Sequence, residues 1–243
     1  MAAIISINFL ELKSLTVDQD LYTYTDGDVV QSAQKAFEYL NELFSCPLTS
    51  ISVSTGYIRK SKRPFFFGMR ECTELIVNGK NKILIKKDFK FNIATIKHPE
   101  VIWIPYCAHW VTSKMIFKLN CSYLLLHDTK WTAKDCESFV ARWLNSDDTF
   151  FCFLKLYWIE RVPADLNFEN LGVELIKFDP ETRDPDYPCS DSHLAFDVST
   201  GRDFIRKDGL MATIAVSEHT FIFCVWHKRH QNMNGVTITH RLT

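Results

Sequence analysis

The chain lacks the common sequence signatures of catalysis. It contains no G-x-S-x-G nucleophile turn, no G-x-G-x-x-G dinucleotide loop and no G-x-x-x-x-G-K-[ST] phosphate loop, so serine hydrolysis and nucleotide binding have no motif to rest on. Its eight cysteines, at 46, 72, 107, 121, 136, 152, 189 and 224, include no C-x-x-C pair. Charge of one sign is not in excess either. With 28 basic and 29 acidic residues the formal net charge is −1, which gives no global attraction to nucleic acid or to an anionic membrane. The apolar runs stop well short of the ~18–20 residues that a membrane span needs. The opening MAAIISINFLELKS lacks the charged start and small-residue cleavage site of a secretory signal. An intracellular protein is expected, cytoplasmic or nuclear, with no cofactor, and with cysteines that act as small buried hydrophobes in a reducing compartment.

What the chain has in quantity is apolar and aromatic surface. Of 243 residues 47% are hydrophobic and 14% aromatic, with 19 phenylalanines, which argues against disorder. A globule of this length buries roughly 70–75% of its unfolded surface, enough for one large domain or two small ones.

The stretch 121–160 organises the rest. Leu124, Leu125 and Leu126 form an apolar run too brief for a free-standing helix and suited to a buried strand. Thr132 then stands where an N-cap belongs, and Asp135 three residues on can return the hydrogen bond and sit at the positive end of the helix dipole. Cys136, Phe139, Val140, Trp143 and Leu144 follow at i, i+3, i+4, i+7 and i+8, one stripe of a helix. The helix is expected to stop in Asn145-Ser146-Asp147-Asp148, and a second strand begins after Phe150. Two strands joined by a helix are most simply parallel neighbours.

Similar units are expected on both sides. Weak alternation over 1–26 suggests one or two strands, and Asp28 can cap a helix over 29–44. Strands follow around Ile51 and Val53, at Leu75-Ile76-Val77 and over 101–104, with Ile83 and Ile85 as a possible hairpin partner. Trp110-Val111-Thr112 opens a short helix. Strand centres near 51, 75, 101, 124, 154 and 175 resemble the ~20–29-residue period of leucine-rich repeats. The expected fold class is therefore α/β: a leucine-rich-repeat-like strand–helix solenoid over 1–178, with an ordinary open α/β sheet as the alternative. Asp179-Pro180, Asp184-Pro185 and Tyr187-Pro188 mark a linker over 179–192. Four short runs over 193–226 read as an antiparallel β-meander, and 227–243 as a polar tail.

Several groupings suggest chemistry, and each has a plainer reading. Cys224, His227 and His230 spell C-x-x-H-x-x-H, but on a strand residues three apart face opposite ways and no fourth zinc ligand has a recognisable spacing. Cys107 with His109, or Cys136 with His127, could pair as nucleophile and base; packing is the simpler account. Asp184, Asp186 and Asp191 lack the calcium-loop pattern. Arg59 to Arg63 with Phe65 to Phe67 interleaves basic and aromatic residues as RNA binders do, although a loop dipping into the core does the same. A cysteine- or metal-dependent enzyme and an RNA-binding module through 59–67 remain the alternatives to a non-catalytic binder.

A solenoid binds through the outward residues of its strands. If Leu75, Val77, Ile102, Ile104, Leu124, Leu126, Leu154 and Leu156 point inward, then Glu74, Trp103, His127, Lys155 and Tyr157 point out and are the candidate partner contacts. Coverage of Trp103 and Tyr157 by the meander is the competing arrangement.

Two stretches carry a family resemblance. WVTSKMIFKLN from Trp110, continuing into LLLHDTKWTAKDCESFVARWL, is similar to the Trp-Val-Thr, short helix, strand and Thr-started helix of the type 2 F-box-associated domain, found in expanded families of nematode F-box proteins. DFIRKDGLMATIAV from Asp203, with FIFCVW from Phe221, resembles the same family's Asp-hydrophobic-x-Arg-x-Asp-Gly run and closing Val-Trp, and is the more specific match. The resemblance covers roughly 37–226. It implies a protein–protein interaction domain that recruits substrate for a ubiquitin ligase, with an unknown protein target as partner and with Skp and cullin engaged through an F-box. No Leu-Pro-rich F-box pattern is recognisable in 1–30. The family assigns no catalytic residue, and neither nucleic acid nor membrane is an expected partner.

Overall fold

The computed structural model describes residues 100–106, 108–188 and 195–227 in full, and the backbone strands 3–9, 22–23, 48–54 and 74–78. The expected helix over 29–44, the hairpin at Ile83 and Ile85, the basic and aromatic segment 59–67 and the tail beyond 227 lie outside these residues. The fold is mixed α/β with few helices, and most strand pairings among the described residues are antiparallel. The chain divides into two compact units, 1–130 and 131–243, so the stretch 121–160 straddles the division.

In the first unit β1 (Ala3–Phe9) pairs antiparallel with β2 (Tyr22–Thr23) and with β3 (Leu48–Ser54). From β3 a parallel ladder runs to β4 (Glu74–Asn78), β5 (Val101–Ile104) and β6 (Tyr123–His127). Its register aligns Leu75 with Ile102 and Leu124, which puts these apolar positions on one face. Ile102, Ile104, Leu124 and Leu126 are all fully buried. Between β5 and β6 a 3₁₀ turn over Ala108–Trp110 leads into α1 (Ser113–Ile116), whose N-cap Thr112 accepts a hydrogen bond from the Met115 N–H.

The second unit opens with α2 (Ala133–Leu144). The Thr132 hydroxyl accepts from the Asp135 N–H at 3.2 Å while the Asp135 carboxylate accepts from the Thr132 N–H at 3.0 Å, the reciprocal box expected from the sequence. Cys136, Phe139, Val140 and Trp143 are buried along its inner stripe. The strands β7 (Phe153–Tyr157), β8 (Ile176–Lys177), β9 (Asp186–Pro188), β10 (Ala195–Asp197), β11 (Arg202–Ile205), β12 (Met211–Val216) and β13 (Thr220–Trp226) follow. β11, β12 and β13 form the expected antiparallel meander, and β7 joins it antiparallel along β13.

The meander differs from expectation at its first member. β10 pairs with β9 in a separate two-stranded ribbon, and β8 takes the place beside β11. The reason is aromatic: Tyr187 of β9 and Phe196 of β10 each stack on Phe153, with ring centroids 5.4 and 4.7 Å apart, so the ribbon covers a sheet face and does not extend its edge. The segment 179–192, read as a linker, lies within this unit, and its Arg183 and Tyr187 are fully buried.

One face of the second unit's sheet packs α2. Phe223 meets Phe139 and Trp143 edge-on at 5.8 and 5.2 Å, and Phe204 meets Trp143 at 6.1 Å, so the apolar side of the helix is matched by a cluster of tilted rings. The opposite face carries Phe153, Lys155 and Tyr157 of β7 at alternate positions, with Cys224, Ile222 and Thr220 of β13 across from them.

Candidate functional site

The five residues chosen as partner contacts fall in different units. Glu74 begins β4, and its side chain lies outside the described residues. Trp103 on β5 aligns with Ile76 and Leu125 on the face opposite Ile102 and Leu124, and is 38% exposed. His127 ends β6 and is half-buried. In the second unit Lys155 and Tyr157 are half-buried on β7, on the ribbon-covered side. Tyr157 stacks with His219 at 5.9 Å, and the Lys155 ammonium lies 4.5 Å from the Phe196 ring centroid. Burial holds the Lys155 pKa below the ordinary lysine range, because solvation of its charge is incomplete.

Beneath the ribbon runs a buried polar network that the sequence did not reveal. The Arg183 guanidinium donates from Nε to both Asp203 oxygens at 2.9 Å, from Nη1 to the Asp184 carbonyl and from Nη2 to the Val198 carbonyl. Thr213 donates its hydroxyl to Asp203 Oδ1 at 2.6 Å and accepts from Trp226 Nε1 at 2.7 Å. The guanidinium also lies over the rings of Phe178 and Trp226. Tyr187 donates its hydroxyl to the carbonyls of Cys152 and Val225, which ties the ribbon to the sheet. Gly201 permits the turn into β11 to pass close by: a Cβ there would come within 2.6 Å of Thr213 Cγ2 and 2.9 Å of two carbonyl oxygens.

Arg206 performs a parallel task on the helix side. Its Nη1 donates to the Trp143 carbonyl at the C-terminal end of α2, where a cation is also favoured by the helix dipole, and to the Asp148 carbonyl in the turn that follows. Asp208 holds the other edge of the guanidinium at 2.7–2.9 Å, and those hydrogen bonds keep its carboxyl below the usual carboxylate range. Gly209, at φ +87°, completes the turn into β12. The polar residues of the stretch that begins at Asp203 thus serve as structural ties.

The chemically suggestive groupings resolve differently. Cys121, Cys136, Cys152 and Cys224 are buried, and desolvation raises the thiol pKa of Cys136 and Cys224 far above the range of a nucleophile. His227 Nε2 lies 2.7 Å from the Phe151 carbonyl, and His230 falls outside the described residues. Among the described residues no cluster of three or more His, Cys, Asp or Glu side chains is placed to hold a metal ion. No helix among them is long and apolar enough to cross a membrane.

Sequence reasoning also missed the cover over Lys155. Placing Lys155 on the face opposite Leu154 and Leu156 was enough to separate it from the helix side, but Phe196 belongs to a strand assigned to the meander. No protein-family model, curated protein or solved structure matches the chain.

Proposed function

We propose that the chain is a non-catalytic protein–protein interaction domain, akin to the substrate-recruiting part of F-box ubiquitin-ligase adaptors but with no recognisable F-box. In this reading the parallel strands β3 to β6 form its leucine-rich-repeat-like part, and the five candidate contacts address the partner. The observation that carries the proposal is Trp103. Its strand neighbours Ile102 and Ile104 are fully buried, whereas its own large ring is 38% exposed on the other face of a regular parallel ladder, and Tyr106 three residues on is half-exposed. Tryptophan is the residue most enriched among interface hot spots, and leaving so much of it in water stabilises nothing in the isolated chain.

The test is affinity purification with the full chain and with Trp103→Ala. A specific protein is expected with the wild type, and loss of a hot spot of about 2 kcal/mol lowers its affinity roughly thirtyfold. Co-recovery of Skp and cullin would assign the partner to a ligase. Failure to recover any specific protein, or equal recovery by the variant, sinks the proposal.

A further inference from the structure

Lys155 is an unusual residue for its position. Across the ladder it faces Ile222, and one strand further Ala215, while Phe153 two residues before it is fully buried. The charge is only partly solvated, and the ammonium lies 4.5 Å from the Phe196 ring centroid. The ion pairs among the described residues are Arg161 with Glu218, Arg183 with Asp203 and Arg206 with Asp208, and none involves Lys155. A half-buried cation without a counter-ion is costly to the fold, and such groups concentrate where ligands are recognised.

Lys155 lines a recess of about 230 Å³. Ile222 and Ala215, across the ladder from Lys155, line it together with Phe196, and Thr200, Ser217 and Thr220 supply hydroxyls. The small Ala215 side chain leaves the space that a larger residue would fill. This volume is under the ~300–1,000 Å³ of pockets for drug-sized ligands, so it suits a single side chain and not a nucleotide. Asp197, the carboxylate among the lining residues, accepts from the Ser199 N–H at 2.8 Å and keeps its charge, but it forms no ion pair with Lys155. Apolar walls with a cation and hydroxyls select a short aliphatic group that ends in an anion.

We propose that this recess binds an acidic side chain, glutamate or aspartate, of a protein partner, with its methylene groups against Phe196 and Ile222 and its carboxylate on Lys155. The assignment deepens the protein-binding reading and rests on it. A peptide is favoured over a free acid because β10, which lines the recess, pairs only with β9 among the described residues and leaves a strand edge for the partner's backbone.

The experiment follows the Lys155 Nζ and Cε resonances of the full chain by NMR, assigned with Lys155→Met. The probes are the peptide acetyl-AAEAA-amide, its glutamine analogue and glutarate. The glutamate peptide is expected to shift the Lys155 signals with a Kd on the order of 1 mM, as suits one charged side chain. The glutamine analogue is expected to bind at least about tenfold more weakly, the loss of roughly 1.4 kcal/mol. No shift, or an equal shift with glutamine, overturns the proposal, and glutarate binding as tightly as the peptide overturns the assignment to a protein. Lys155→Met keeps an aliphatic side chain of similar length, and thermal melts establish that it folds. If the glutamate peptide fails while wild type and Lys155→Met capture the same partner equally, the recess is refuted and the binding reading stands. If the peptide binds but the wild type captures no partner, the binding reading fails and the ligand's assignment fails with it.

Discussion

Asp203→Asn offers the sharpest test of how the second unit is held together. The substitution keeps the side chain's shape and removes its charge, which leaves the Arg183 guanidinium, 0% exposed, without its counter-ion. Asp203 is itself 4% exposed and accepts from both Arg183 Nε and the Thr213 hydroxyl. Water is therefore poorly placed to compensate. Removing one partner of such a buried pair costs about 3–5 kcal/mol, against about 1 kcal/mol or less for an exposed pair such as Arg161 with Glu218. Because Thr213 links Asp203 to Trp226 Nε1, Asp203→Asn and Thr213→Val are also expected to be non-additive, with a coupling of about 0.5–3 kcal/mol. Urea unfolding of both single variants and the double variant measures these quantities, with unchanged m-values needed for a clean comparison. A loss below about 1 kcal/mol for Asp203→Asn, or strict additivity, would show that the network is not the connected unit described.

Three other outcomes follow from single environments. Gly201→Ala places a Cβ 2.6 Å from Thr213 Cγ2 and 2.9 Å from two backbone oxygens, and is expected to lose about 1–3 kcal/mol in denaturant melts; a neutral result would show that the turn gives way. Cys136 and Cys224, whose thiol pKa values burial pushes up, should resist iodoacetamide at neutral pH until the protein is unfolded, and mass spectrometry of the native protein labelled at either site would contradict the packing. Asp208 is held below its ordinary range by Arg206, so its contribution to stability is complete above the unfolded pKa of ~3.9 and is lost as pH falls through the lower folded value. Asp208→Asn should accordingly be less stable than wild type near neutral pH, with the difference shrinking below about pH 4; a gap that stays constant in acid would refute the link.

Much of the local structure is legible in the sequence because its causes are local. Thr132 and Asp135 sit three apart, and the capping box they form needs no other part of the chain. The stripe from Cys136 to Trp143 likewise follows from the helix period, and the short apolar run around Leu124 marks a buried strand. What the sequence hides is the choice of partner across distance. Leu194 to Val198 has the composition of a meander strand, and nothing near it announces that Phe196 stacks on Phe153, forty-three positions away, so that β10 joins β9 over the face. The Asp- and Pro-rich stretch around Arg183 shows the same limit. Its turn residues are real, since Asp179 and Asp184 accept from backbone N–H groups two residues on. Yet turn chemistry describes how a segment bends and says nothing of whether it is solvated.

Arg183 is the residue that separates those two properties, and it changes what the family-like stretch means. Viewed alone, Asp203, Thr213 and Trp226 are polar residues scattered through apolar strands, the pattern that a binding or catalytic motif also gives. Register puts Asp203 opposite Thr213, and Thr213 opposite Cys224, so the first two share a face across adjacent strands, and Trp226 follows two positions along β13 on that same face. Arg183, from a segment composed like a linker, supplies the charge that lets the carboxylate stay buried. A pattern of this kind specifies a fold before it specifies a function. Evidence for function has to come from side chains that the fold leaves incompletely satisfied, and among the candidates Trp103 and Lys155 are those whose exposure or charge the surrounding structure does not repay.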